Sequence, residues 1–188
     1  QDHNLQVACN HHNLAQIFSS VVSLFVRSSE AYRFVVFVFK VFFGQAAFAA
    51  KPVAAAGEFA VKKNRKRAEG YQSHDPERVL QLMSALYSAI RSEGIIYSAL
   101  PPGYETGGQR LRLLNTIQQQ KFANCIDISL LFAACLEAVD LNPILIVVRG
   151  HAFIGCWLHD DKFAEMVNDD KSAITKRLAQ GIREIAAV

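Results

Sequence analysis

The stretch from Ile126 to Val139 constrains this chain more than any other. Ile126, Leu130, Leu131, Ala133, Ala134, Cys135, Leu136 and Ala138 put apolar side chains on most faces of a helix drawn through it. A helix without a polar face must be covered on all sides, so the spacing predicts a central buried helix over about residues 125–139. Asp140, Asn142 and Pro143 break it, and Ile144 to Val148 then form a short all-apolar run of the kind found in central strands. Gly150 follows, then a second apolar run from Ala152 to Leu158. The order is helix, strand, turn, strand.

The rest of the chain can supply what such a helix needs around it. Its 188 residues suit one domain of ordinary size, or one domain with an extension, and 51% of them are hydrophobic, enough for a substantial core. A net charge of +3 does not by itself point to nucleic acid or to an acidic substrate. The cysteines, Cys9, Cys125, Cys135 and Cys156, show neither the CxxC pairs of a zinc site nor the density of a disulfide scaffold. Reduced thiols in a cytoplasm are expected, with no metal and no other cofactor.

Composition changes near residue 70. Ahead of it lies RFVVFVFKVFFGQAAFAA, Arg33 to Ala50, a basic residue and an apolar run ending in an A-x-A-like stretch. That pattern has some features of a signal peptide, but it starts some thirty residues in and Lys40 interrupts it, leaving segments too short to span a bilayer. Phe34 to Phe39 and Val41 to Phe43 are almost purely β-branched or aromatic, and read as one or two buried strands. No membrane partner is expected. The cluster KKNRKR, Lys62 to Arg67, could meet phosphates; with no aromatic residues interleaved it reads as a solvated linker or helix end. Residues 1–69 are thus an extension carrying a strand-like or helical apolar run and a basic linker, and residues 70–188 read as a globular domain.

That domain opens with a well-signalled helix. Asp75 can cap it, Pro76 suits its first position, Val79, Met83, Leu86, Tyr87 and Ile90 recur at helical steps, and Gly94 ends it. IIYSALPPGYETGGQ is largely loop, with Ile95 to Tyr97 a short extended piece, and Leu111 to Gln120 is ambiguous.

The order of elements gives two residues chemical meaning. Cys125 opens the buried helix, where unbonded backbone N–H groups and the helix dipole favour a thiolate. His151 begins the second strand. If the strands pair as a hairpin against the helix, the imidazole can approach the sulfur as general base and then general acid. Such a pair attacks amide or thioester carbonyls, and the Cys125 N–H can help hold the oxyanion. A further donor is needed, for which Gln109 and Gln118, Gln119 or Gln120 are upstream candidates. Cys135 and Cys156, inside apolar runs, read as core residues.

The segment NCIDISLLFAACLEAVDLNPILIVVRGHAFIGCWL resembles the Cys and His motifs of the transglutaminase-like, papain-related superfamily. That resemblance implies an α+β fold with the central helix packed on a small antiparallel sheet, Cys125 as nucleophile and His151 as base. A wider similarity runs from GYQSHDPERV through LPPGYETGGQRLRL to KRLAQGIREI, covering nearly all of residues 70–188. It resembles a domain embedded in large bacterial proteins with superfamily-one helicase and nuclease-like regions. This implies a cytoplasmic, DNA-associated or defence-related setting, with helicase or nuclease domains as partners beside a peptide or amide substrate.

The superfamily's triad also needs an acid on the strand after the histidine strand. Asp160 and Asp161 fall in the turn directly after it, while Asp169 and Asp170 sit in a polar stretch placed to cap a helix starting near Lys171. IREIAAV reads as the next strand, cut short before the acid. Two classes of function follow: a thiol protease, amidase or acyltransferase using Cys125 and His151, or a domain that keeps the fold and binds a peptide, a partner domain or nucleic acid without catalysis.

Overall fold

The computed structural model describes residues 70–99, 111–112, 114–148, 150–165 and 167–188, together with the backbone of Val35–Phe37. Helices and strands are mixed, as the sequence predicts for an α+β chain.

Helix α1, Pro76–Ser92, begins where the signals put it: the Asp75 carboxylate accepts from the Glu77 N–H at 3.0 Å, and Pro76 opens the first turn. Gly94, at φ +68°, takes the left-handed conformation after its end. The helix buries Val79, Leu82, Met83, Leu86 and Ile90. Tyr87 sits on the rim of that stripe, 44% exposed, with its ring 6.2 Å from that of Phe132. The extended piece after it belongs to a separate two-stranded sheet: Ile96–Tyr97 runs parallel to Phe122–Ala123. The ambiguous stretch between them holds helix α2, Leu114–Gln120.

The principal helix, α3, covers Cys125–Glu137, close to the bounds its apolar faces predict, and buries ten of its residues. Five antiparallel strands form the main sheet. Labelled in chain order, with the small sheet's Ile96–Tyr97 and Phe122–Ala123 as β2 and β3, they are β1 (Val35–Phe37), β4 (Pro143–Val148), β5 (His151–Trp157), β6 (Val167–Asn168) and β7 (Ile185–Ala187). Their spatial order is β6-β1-β4-β5-β7. The sheet therefore takes one strand, β1, from the apolar run ahead of residue 70 and pairs it with β4, Val36 opposite Ile146. β7 realises the strand expected in IREIAAV, and helix α4, Lys171–Leu178, the one expected near Lys171, capped by Asp170.

β4 and β5 form a hairpin in unbroken register from Pro143 opposite Cys156 to Val148 opposite His151, closed by a turn containing Gly150 at φ +76°. Because side chains alternate along a strand, this register divides the hairpin between two cores. Ile154, Cys156 and Leu158 pack with α1 and α3, among Leu86, Leu131, Phe132, Cys135 and Leu136. Ile144, Ile146 and Trp157 pack on the opposite face with Ile174 of α4 and Ile185 of β7, joined by the half-buried Val148, Phe153 and Phe163. There the Arg177 guanidinium lies 5.5 Å from the Trp157 ring centroid and 5.3 Å from that of Phe163.

Tyr71 fastens the start of the domain to the far end of this sandwich. Its hydroxyl donates to the Trp157 carbonyl at 2.8 Å and accepts from the Asn142 N–H at 3.0 Å. Burial drives the phenol well above its ordinary range. Cys135 and Cys156 are core thiols, each pushed up to about 12 by burial. No helix among the described residues is long and apolar enough to cross a membrane.

Candidate active site at the start of helix α3

The first turn of α3 is held by a reciprocal pair. Asn124, extended at φ −99°, accepts the Asp127 N–H on Oδ1 at 3.0 Å, and Asp127 Oδ2 accepts the Asn124 N–H at 3.2 Å. This is a capping box, in which each residue's side chain accepts the other's otherwise unbonded N–H. Asp127 is fully buried, and its charge is met from a second direction: the Arg112 N–H donates to Oδ1 and Arg112 Nη1 to Oδ2, both at 2.9 Å. A buried carboxylate survives only with such partners. Together they clamp the segment ahead of α2 to the start of α3.

Cys125 is the residue inside this clamp. It is half-buried, and its carbonyl accepts from Ser129 Oγ at 2.8 Å. The opening amides of a helix have no acceptor within it. Here Asp127 gives its N–H to Asn124 Oδ1 and Ile128 gives its own to the Asn124 carbonyl. The Cys125 and Ile126 N–H groups bond to no acceptor among the described residues. A third donor belongs to the residue just before them: Asn124 is 1% exposed, and its Nδ2 has no hydrogen-bond partner among the described residues.

His151 sits at the matching end of the sheet. α3 runs one way and β4 returns, so the turn leading into β5 lies at the Cys125 end, α3 and β4 both spanning roughly 20 Å. Its side chain, however, belongs to the other face. His151 alternates with Ala152, so it shares the side of Phe153 and Trp157, whereas α3 covers the side of Ile154 and Cys156. The imidazole is exposed and stacks on Phe153, ring centroids 6.1 Å apart at 22°. Among the described residues, no hydrogen bond joins it to the Cys125 sulfur and no carboxylate is bonded to it.

The remaining candidates are dispersed. Gln109 lies outside the described residues. Gln119, exposed near the end of α2, has no hydrogen bond to Cys125. Asp160 and Asp161 lie past the far end of β5, where Asn142 Nδ2 donates to Asp160 Oδ1 at 3.2 Å and to the Asp161 carbonyl at 3.0 Å. Asp169 is exposed, and Asp170 caps α4, its carboxyl held below the usual range by hydrogen bonds from Ser172. A cleft of about 680 Å³ between Tyr71, His74, Asp75, Asp140, His159 and Asp160 is likewise at the far end of α3, a helix length from Cys125. No group of side chains among the described residues is arranged to hold a metal ion.

Sequence reasoning passed over Asn124, Asp127 and Arg112. The signal for the first two was present: an Asn three residues before an acid, ahead of an apolar run, is a capping-box pattern. Arg112 is fifteen residues distant and carried no such sign. Compared with known protein families, curated proteins and solved structures, the chain gave no match.

Proposed function

We propose that residues 70–188 are a transglutaminase-like, papain-related thiol domain whose reaction is acyl transfer or amide hydrolysis, with Cys125 as nucleophile and His151 as general base. The observation that best supports this is the start of α3, where a half-buried cysteine and its neighbours Asn124 and Ile126 carry three N–H donors with no hydrogen bond among the described residues. In the reaction, Cys125 gives its proton to His151, and the thiolate attacks the carbonyl carbon of a peptide or amide. The new oxyanion is held by the Cys125 and Ile126 N–H groups. Collapse breaks the C–N bond, the leaving amine takes the proton from the imidazolium, and the thioester passes its acyl group to water or to an acceptor amine. To act as base, His151 must leave Phe153 and swing round the end of β5 to the α3 face, which takes a backbone change at the strand end as well as a new rotamer. Giving up that ring contact costs on the order of 0.5–1.5 kcal/mol. The setting we infer from the sequence resemblance is a cytoplasmic, helicase-associated larger protein.

A second reading rests on the opposed faces: a domain that keeps the fold and binds a peptide or partner without catalysis. Iodoacetamide labelling from pH 5 to 9, in a Cys9→Ser background, separates the two. The thiol-enzyme reading expects Cys125 to label faster than free cysteine on the acid side, and His151→Ala to remove that advantage. Labelling no faster than free cysteine, with no change on His151→Ala, establishes the non-catalytic reading instead.

A further inference from the structure

We infer that Asn124 supplies a side-chain oxyanion donor for Cys125 chemistry, completing a site whose other donors are backbone amides; this rests on the thiol reading above. Four observations carry it. Asn124 directly precedes the cysteine, and its side chain is fixed, because Oδ1 accepts the Asp127 N–H at 3.0 Å. The same carboxamide therefore presents its nitrogen at the first turn of α3. That nitrogen is buried, and it has no hydrogen-bond partner among the described residues. The adjacent Cys125 and Ile126 N–H groups are also unbonded among the described residues.

An unsatisfied buried amide N–H costs about 1–3 kcal/mol, and capping does not require it. Serine or aspartate would accept the Asp127 N–H as well as asparagine does. Only asparagine adds an amide donor to the cap. A donor with no partner among the described residues, on the residue that precedes the thiol and its two likewise unbonded amides, fits an acceptor that exists only during reaction: the oxygen of the tetrahedral adduct. Asn124 Oδ1 fixes the helix start while Asn124 Nδ2 waits for the substrate oxygen.

The test compares two reactions of the same sulfur in the full chain with Cys9→Ser. In acetylation by p-nitrophenyl acetate, the sulfur bonds to the acetyl carbon and the carbonyl pair moves onto oxygen. Collapse then expels p-nitrophenolate and leaves S-acetyl-Cys125. Alkylation by iodoacetamide displaces iodide at a saturated carbon and forms no oxyanion. Asn124→Asp keeps a capping acceptor and removes the N–H donor; Asn124→Gly removes the side chain at a small cost in capping. Dividing the acetylation rate by the alkylation rate cancels any change in the thiol itself. Both variants should lower that ratio about a hundredfold, the usual loss for one oxyanion donor. A ratio within about threefold of wild type in both, on that same scale, overturns the role of Asn124 and leaves the Cys125 reading standing. Wild-type acetylation no faster than that of free cysteine overturns both.

Discussion

The two faces of the main sheet are built differently, and the candidate site is divided between them. One face is covered by α3 and α1 and carries the cysteines: Cys125 at its edge, Cys135 and Cys156 within it. The other is covered by the two-turn α4, which buries only Ile174, and it carries His151 beside Phe153. The thick face fixes the nucleophile and its donors through buried groups. The thin face holds the imidazole against Phe153 at an exposed strand end. A rigid nucleophile and a loosely held base mean that the pair's geometry is decided on the thin side.

The largest difference between the faces should appear in cavity-forming substitutions. Leu136 and Ile174 are both 0% exposed. Truncating a buried Leu or Ile to Ala costs about 2–5 kcal/mol, depending on how far the surroundings collapse into the space. Leu136→Ala leaves its hole in the core shared by α3, α1 and β5 and should fall in the upper half of that range. Ile174→Ala sits under a short helix that can settle onto the sheet, and should fall near the bottom. Urea unfolding of the two variants measures this; equal losses would show that the faces are equally rigid.

Alkaline titration should give a smaller effect, confined to the thick face. Cys135 and Cys156 have folded-state values raised from 9.0 to about 12 by burial. A raised value means that the folded chain binds the proton more tightly. The stabilisation is therefore complete below the unfolded thiol's range and is lost as pH rises from about 9 toward 12. By pH 10 each thiol should account for lost stability on the order of 1 kcal/mol. Cys135→Ala and Cys156→Ala should each flatten the fall between pH 8 and 10 by that amount relative to the parent. A fall unchanged in both variants would mean that water reaches these sulfurs.

The same division explains what the sequence could reveal. α3 was legible because apolar residues surround it, and α1 and α4 because Asp75, Pro76 and Asp170 cap them. The hairpin was legible as two apolar runs about Gly150. The face on which His151 lies was not. Ala152, Ile154 and Cys156 are buried on one side, and on the other Trp157 is buried and Phe153 half-buried, so β5 has no apolar and polar alternation from which to read its orientation. That orientation depends on α4 and β7, distant elements whose placement over the second face no local pattern announces. The orphaned Asn124 Nδ2 was hidden for another reason: a capping asparagine can be read from spacing, but whether its spare nitrogen finds a partner is a property of three-dimensional packing.

The smallest and most informative expected effect concerns the contact that parks the imidazole on the thin face. If His151 serves Cys125 after leaving Phe153, the ring contact stabilises the non-productive orientation, and removing it shifts the population toward α3 by no more than the contact's worth. A contact of about 0.5–1.5 kcal/mol sets a twofold to tenfold ceiling on the gain. Phe153→Ala should therefore raise the His151-dependent part of Cys125 acetylation within that ceiling. The same substitution in a His151→Ala background should leave the rate unchanged, because no base remains to be released. A rise in both backgrounds would mean that Phe153 acts by loosening the sheet. No rise in either would mean that the imidazole stays on its own face, the outcome that the non-catalytic reading requires.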